Sequence, residues 1–440
     1  MLRAHRFFPF LLSAVLTLGF ATGLAAPALA QESTAAALPL IEDELAELRA
    51  PVPVPEPTPE AVRYHRSGHW IWAASSALGI ALPALLLWSG AAVALRSRAE
   101  RIARFWPLAA ALFIAGYLVL DWLLTLPFAY YAGFVRQHAY GMSNQSLGQW
   151  LGDSAIGLGV TIVIAAPFFW VPLLLIRRLP RAWWLATGAL VVPFGFLIAF
   201  VQPIWIDPLT DDFGAMRDAQ LEQRVLSLAG RAGIEGARVF EVAKSEDTNA
   251  VNAYVTGFGA TKRIVLWDTL LQKLSPEQTL VVMAHEMGHY VLRHVVIAIC
   301  VIAAILTLAL AVIDRAARAV LRRSGARLGL RGLADPAALP LVLMLAGVVG
   351  FFFIPLGLAF SRYQEHEADR FALELTRDNR ACAGAFVALQ TENLGYPRPA
   401  AWFVWLRADH PTLGERVDFC NAYRPWENGE PLRYARFFER

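Results

Sequence analysis

Six apolar runs, each near the 20 or so residues that a helix needs to cross a bilayer, constrain this chain more than any motif in it. They lie at about 70–95, 107–132, 155–176, 183–206, 295–314 and 337–360. Apolar residues make up 57% of the 440, charged residues only 17%, and mean hydropathy is +0.45. A soluble chain of this length would divide into two or three domains, whereas this composition specifies a polytopic membrane protein. Glycine and proline inside several runs are tolerable, because neighbouring helices satisfy the freed backbone groups. The net charge of +3 is too small to imply a nucleic-acid partner. Three cysteines with no CxxC pair indicate neither a thiolate zinc site nor a disulfide scaffold.

The arginines set an orientation. Arg96, Arg98, Arg101 and Arg104 follow the first run, and Arg177, Arg178 and Arg181 follow the third. Arg315, Arg318, Arg322, Arg323, Arg327 and Arg331 follow the fifth. These loops alternate correctly to be cytoplasmic, so the loops at 133–154 and 207–294 face outward. The N-terminus carries a basic region (Arg3, His5, Arg6), an apolar stretch from Phe7 to Leu24, and Ala28-Leu29-Ala30. This predicts a signal peptide over 1–30, either cleaved or kept as an anchor. Alternating prolines from Pro51 to Pro59 predict a Pro/Glu-rich extended, solvated linker over 31–66. Asp121, inside the second run, is an expensive charge. It either lines an internal cavity or is paired with an arginine or snorkelled.

Residues 207–294 form the long polar segment between runs. Periodicity predicts a helix over 215–232, and short strands at 238–243, 252–258 and 263–267, which make a small sheet. Residues 361–440 are a second polar segment, helical at first.

Within the first of these stands His285-Glu286-Met287-Gly288-His289. Residues four apart share a helix face, so both imidazoles can grip one ion while the glutamate lies beside it as a general base. Ser275-Pro276-Glu277 supplies an N-cap, a first-turn proline and a first-turn acid. The alternative is a helix with two ordinary surface histidines. A catalytic zinc needs a third ligand. Glu365 and Asp369, again four apart, offer one carboxylate for the metal and another to orient a ligand histidine. His366 competes as a ligand but points about 100° away round the helix axis.

The chain resembles the type I CAAX prenyl endopeptidases, integral-membrane gluzincin proteases, in five places covering roughly residues 70–420. They are Leu126 to Tyr131 with Tyr140 to Ser146, Asn252-Ala253-Tyr254 with Lys262 to Leu270, the motif at 285–289, Ser361 to Asp369, and His410 to Arg416. The resemblance implies a mainly α fold: a bundle of six to seven spans enclosing a chamber, joined to a gluzincin-type metallopeptidase domain with a small β-sheet. It implies one zinc per chain held by His285, His289 and Glu365, with Glu286 as base and Asp369 behind the ligands. It further implies that Asn252, Ala253 and Tyr254 bind an extended peptide by strand addition, and that His410 and Arg416 meet the oxyanion.

The implied domains are the signal at 1–30, the linker at 31–66, a four-span N-terminal domain at 67–206, and a metallopeptidase domain at 207–440 that includes the last two spans. The partners are a peptide or protein in extended conformation and the lipid bilayer. The arginine loops place the site on the periplasmic face of a bacterial inner membrane. That suits processing or quality control of membrane-associated proteins better than cytosolic prenylated tails. A heat-shock membrane protease and an inactive membrane scaffold are the alternatives. Cys382 and Cys420 share the C-terminal polar segment, as a disulfide or as two buried thiols.

Overall fold

The computed structural model describes residues 50–257 and 263–438. The expected signal sequence at 1–30, and with it the choice between six and seven spans, lies outside the described residues.

Residues 51–58 are extended, as the prolines require, but they are not a solvated spacer. Val52 exchanges backbone bonds with the Asn421 side chain at 3.0 and 2.9 Å, and Gln390 Nε2 donates to the Pro55 carbonyl at 3.0 Å. Val52 and Val54, which alternate with the prolines, pack on the core of the polar segments. Alternation puts both valines on one face, and docking that face removes it from water. The linker also ends earlier than 66. Thr58 caps helix α1 (Pro59–Trp88), its hydroxyl accepting from the Ala61 N–H at 3.1 Å, with Pro59 at the first turn.

The first apolar run does not continue to residue 95. Gly90 takes a left-handed conformation (φ 75°), which ends α1 and starts α2 (Ala91–Ile102) in a new direction. There follow α3 (Trp106–Tyr130), which passes through a π turn at Tyr131–Val135, then α4 (Leu147–Phe168), α5 (Trp170–Arg178) and α6 (Trp183–Val201). The π turn lies just beyond Pro127, where the missing N–H disturbs the ladder. In the second half come α7 (Ala219–Arg231), α8 (Asp268–Lys273), α9 (Pro276–Val291), α10 (His294–Ser324) and α11 (Leu339–Thr376). Last are α12 (Asn379–Glu392), α13 (Ala401–Arg407) and α14 (Leu413–Ala422).

Among the described residues, six helices are long and apolar enough to cross a membrane. They pack in a closed circuit: α1 on α2, α2 on α3, α3 on α4, α4 on α5, α5 on α6, α6 on α10, α10 on α11, and α11 back on α1. A helix in such a circuit touches its two neighbours and leaves its other faces uncovered by protein. Only 11% of the apolar window in each of the third and fourth spans is therefore covered by protein. Asp121 is half-buried on α3 and has no arginine partner among the described residues, so the paired alternative is gone.

The two ends of the ring differ in chemistry. At one end the arginine loops meet. Arg96 pairs with Asp335, Arg331 holds Glu100 through two bonds, and Arg318 reaches the Pro180 carbonyl. At the other end the 133–154 loop joins the polar segment, where Asn144 Nδ2 donates to the Ser245 carbonyl at 2.8 Å and Thr248 Oγ1 to the Met142 carbonyl at 2.7 Å.

The sheet has four strands: β1 (Phe213–Gly214), β2 (Arg238–Val242), β3 (Ala253–Thr256) and β4 (Arg263–Trp267), in the order β1-β2-β4-β3. The β2–β4 pair is parallel and the outer pairs are antiparallel, with Tyr254 opposite Val265. β3 is thus an edge strand. The sheet covers α9, whose Met283, Ala284 and Met287 are fully buried in one core with α7, α11 and α12. The helix expected over 215–232 begins at Ala219, because the Asp218 carboxylate takes the N–H groups of Gln220 and Leu221 and sets the cap.

Candidate metal centre

α9 starts where its sequence dictates. Ser275 and Gln278 form a reciprocal capping box, and Pro276 occupies the first turn. Ten consecutive residues from Thr279 to Gly288 are buried, so the helix is clamped on all sides. Gly288 permits the closest of those approaches. A β-carbon there would stand 3.2 Å from Phe371 and 3.3 Å from the Ala368 backbone, both on α11. The glycine between the two histidines thus lets α11 lie near enough to present Glu365.

His285, His289 and Glu365 converge, with one ligating atom of each lying within 4.8 Å of the others. The two imidazole Nε2 atoms face each other at 3.1 Å. Glu365 Oε2 is 3.1 Å from His285 Nε2, and Oε1 is 3.3 Å from His289 Nε2. Atoms about 2 Å from one tetrahedral ion are spaced by roughly 3.3 Å, so this donor set fits a metal. Glu286 Oε1, Glu365 Oε2 and His410 Nε2 are buried around the same point without a formed hydrogen bond. Such atoms are costly unless something binds them.

The orienting bonds are in place. His285 Nδ1 lies 2.6 Å from Asp369 Oδ1; a carboxylate only accepts, so Nδ1 carries the proton and Nε2 presents its lone pair. Burial holds His289 below its ordinary pKa, which favours the neutral, ligating imidazole. Glu286 Oε2 accepts the Val255 N–H of β3 at 3.4 Å, and Oε1 lies 3.9 Å from His285 Nε2. Burial first, then the charge of Glu365, pushes the Glu286 carboxyl well above the usual carboxylate range.

His410 brings its Nε2 to 3.3 Å from Glu365 Oε2, while its Nδ1 is held by Asp409 at 2.7 Å. Burial disfavours its charge, but Glu365 and Asp409 outweigh that and raise its pKa to about 9. The His410 side chain is therefore a cation and a donor near neutral pH. Arg416 is buried and bonded to Asp369, and its Nη2 is 3.8 Å from Glu365 Oε2. Asn252 precedes β3: its carbonyl accepts from the Trp267 N–H at 3.2 Å, and its Oδ1 from the Ala253 N–H at 2.9 Å. Ala253 and Tyr254 lie on the edge strand itself. His366 stays outside the cluster, between Arg370 and the Phe419 ring.

Sequence reasoning missed two orienting side chains. His294 Nδ1 lies 2.9 Å from His289 Nδ1, the nitrogen of that ring turned away from the centre. A spacing of five does not share a helix face. The contact arises because Arg293 adopts a left-handed conformation (φ 57°) that breaks α9 from α10. Asp409 was more legible, as a carboxylate directly before a candidate histidine.

A helical ring fused to a small-sheet unit with a His/His/Glu cluster defines an integral-membrane metalloprotease. Residues 215–423 match Peptidase family M48, and residues 55–212 match the family described as CAAX prenyl protease N-terminal, five membrane helices. The chain belongs to peptidase family M48 and is CAAX prenyl protease-like. It is 39% identical to the uncharacterized metalloprotease YhfN of Bacillus subtilis, over 67% of this chain and 69% of that one. It is 28% identical to CAAX prenyl protease 1 of Saccharomyces cerevisiae, over 68% and 69% of the two chains. The crystal structure of S. mikatae Ste24p has the same fold, with a TM-score of 0.70 over 81% of this chain and 87% of that one, at 23% identity.

Proposed function

We propose that this protein is a zinc endopeptidase of a bacterial inner membrane, with its centre on the periplasmic side, that processes or clears membrane-associated proteins. The convergence of His285, His289 and Glu365, with the Glu286 carboxylate beside them, carries the reading. The three would hold one zinc. When bound, zinc supplies Lewis-acid polarisation of the peptide carbonyl, acidification of an attacking water, and a positive charge that favours ionised Glu286.

Glu286 then takes the proton from water and returns it to the leaving amine. Its bond from Val255 fixes the carboxylate and ties it to the edge strand β3. An extended peptide added along β3, with Asn252 to Tyr254 at its start, would run past that carboxylate. His410, held by Asp409 at Nδ1, is placed to meet charge developing on the carbonyl oxygen. Asp369 and Arg416 act through His285 as positioning residues.

Two observations support this side of the membrane. The arginine loops gather at the end of the ring opposite the polar segment, as the positive-inside rule requires. Cys382 and Cys420 within that segment are joined as a disulfide, a bond that persists in oxidising compartments. The match of 55–212 to the prenyl-protease N-terminal family supports this type over a heat-shock membrane protease. The intact ligand and base set speaks against an inactive scaffold.

The test is Glu286→Gln, measured by zinc content and by cleavage of a quenched peptide. Zinc should remain at one per chain while cleavage falls by roughly 10²–10⁴-fold. Full cleavage by the zinc-loaded variant refutes the assignment. A reporter fused after Arg440 that is active only in the cytoplasm refutes the orientation.

A further inference from the structure

We propose that Arg136, Arg407 and His69 form a binding site for the phosphate of an anionic phospholipid at the membrane surface. Arg136 is only 7% exposed, yet its bonds go to neutral groups: Nε to Ser67 Oγ at 2.9 Å and Nη2 to the Tyr64 carbonyl at 2.6 Å. Its guanidinium lies over the Tyr64 ring at 3.8 Å. Arg407, half-buried, donates from Nη1 to His69 Nδ1 at 2.7 Å and lies over Phe403 at 4.8 Å. Among the described residues, neither guanidinium has a carboxylate partner. Two adjacent, partly desolvated cations without a counterion repel each other, and burial together with Arg136 holds the Arg407 pKa down to about 10. An arginine so placed marks a site for an anion supplied from outside.

The two guanidinium groups come together over Gly68. A β-carbon on Gly68 would stand 3.7 Å from Arg136 Nη2 and 3.8 Å from Arg407 Nη2. One nitrogen of each guanidinium thus faces the bare Gly68 backbone, at ordinary contact distance from where a β-carbon would stand. His69 anchors Arg407: an arginine can only donate, so His69 Nδ1 accepts and the ring proton sits on Nε2. Two planar forks suit a tetrahedral phosphate.

The surroundings select a lipid. Gly68 lies near the start of α1, on the end of the ring that carries the polar segment, and α13 of that segment supplies Arg407. Trp70, Trp402 and Trp405 around it are 79%, 43% and 59% exposed, and the His69 ring sits edge-on to Trp402 at 4.8 Å. Exposed tryptophans at the end of a span mark headgroup depth, which is where lipid phosphates lie.

The test uses the full chain in nanodiscs of phosphatidylglycerol or phosphatidylcholine, with retained lipid read by native mass spectrometry and stability by thermal midpoint. The wild type should retain phosphatidylglycerol about tenfold over phosphatidylcholine and melt higher in it. Gly68→Val, which sets bulk against both guanidinium groups without removing a charge, and Arg136→Gln should each cut the preference to below about twofold. Peptide cleavage by Gly68→Val in phosphatidylcholine reports that the variant is folded; should it not fold, Arg136→Gln carries the test alone. An equal lipid preference in wild type and variants overturns the proposal. So does equal protection in phosphatidylcholine by millimolar inorganic phosphate, which would assign a free anion. Protection only by a peptide with a free C-terminal carboxylate, lost on its amidation, would assign a substrate subsite and overturn it as well.

Discussion

Arg416 grips Asp369 through two bonds, Nε to Oδ2 at 2.9 Å and Nη2 to Oδ1 at 2.6 Å, and the same Oδ1 is the partner of His285 Nδ1. The arginine thus sets the carboxylate and the carboxylate sets the ring. Asp369→Asn should weaken zinc binding about 10–100-fold, because the amide no longer enforces the His285 tautomer. Arg416→Ala should destabilise the fold by roughly 3–5 kcal/mol, since it strands a buried carboxylate. The double variant Asp369→Asn/Arg416→Ala should lose less than the sum of the single losses. Chelator competition and denaturant melts measure the two effects; additive losses would mean the pair is not coupled.

His294 makes the equivalent contact behind His289. His294→Ala should lower zinc affinity about tenfold or more while leaving the fold intact, because the ring of His289 is then free to rotate. Affinity equal to wild type, with the Glu286→Gln and Asp369→Asn variants as references, would reduce His294 to packing.

How far the sequence anticipates these features depends on whether a feature is periodic. The six spans and three of the four strands are repeating patterns, and each is found at its place in the chain. The helices nevertheless overrun the apolar runs, as at Pro59–Trp88 and Leu339–Thr376, and the two-residue strand Phe213–Gly214 is not foreseen. His285, His289, Glu365 and Asp369 were legible because each pair is four apart on one helix. Three further features were not. The first run breaks at Gly90, whose left-handed turn is a single-residue event within an apolar stretch. The proline segment docks because Asn421 and Gln390, more than 300 residues away, complete its backbone bonds. His294 reaches His289 only because Arg293 interrupts the helix. Patterns along one element show in the sequence, whereas contacts that depend on where a second element arrives do not.

Cys382 on α12 and Cys420 on α14, both buried, close a loop with a separation of 38 residues. The two helices carry the wall behind Arg416, which stacks on Phe386 at 4.0 Å. On the chain-entropy account, such a loop is worth about 4 kcal/mol. Cys382→Ala/Cys420→Ala should therefore lower the unfolding free energy by ~2–4 kcal/mol, and a reductant should do the same to the wild type but not to the variant. Mass spectrometry of the non-reduced, alkylated protein provides the direct check. Two modified thiols in protein taken from its native membrane would remove the disulfide and, with it, one support for the periplasmic orientation.

The charge of His410 makes a pH prediction for the chelated, metal-free protein. Its pKa is raised to about 9: burial opposes the cation, and the carboxylates of Glu365 and Asp409 outweigh that opposition. A group whose pKa is raised on folding binds its proton more tightly in the native state. Its contribution is therefore complete below the unfolded value of about 6.5 and is lost as pH rises through about 9. The side chain is 24% exposed, so solvent screening trims the gain to the order of 2 kcal/mol. The metal-free wild type should accordingly lose stability between pH 6.5 and 9 relative to His410→Gln, which has no proton to lose. The thermal midpoints of the two proteins, measured side by side across that window, should converge on the alkaline side. Parallel curves would show that His410 is neutral in the folded state and that its bond with Asp409 carries no charge.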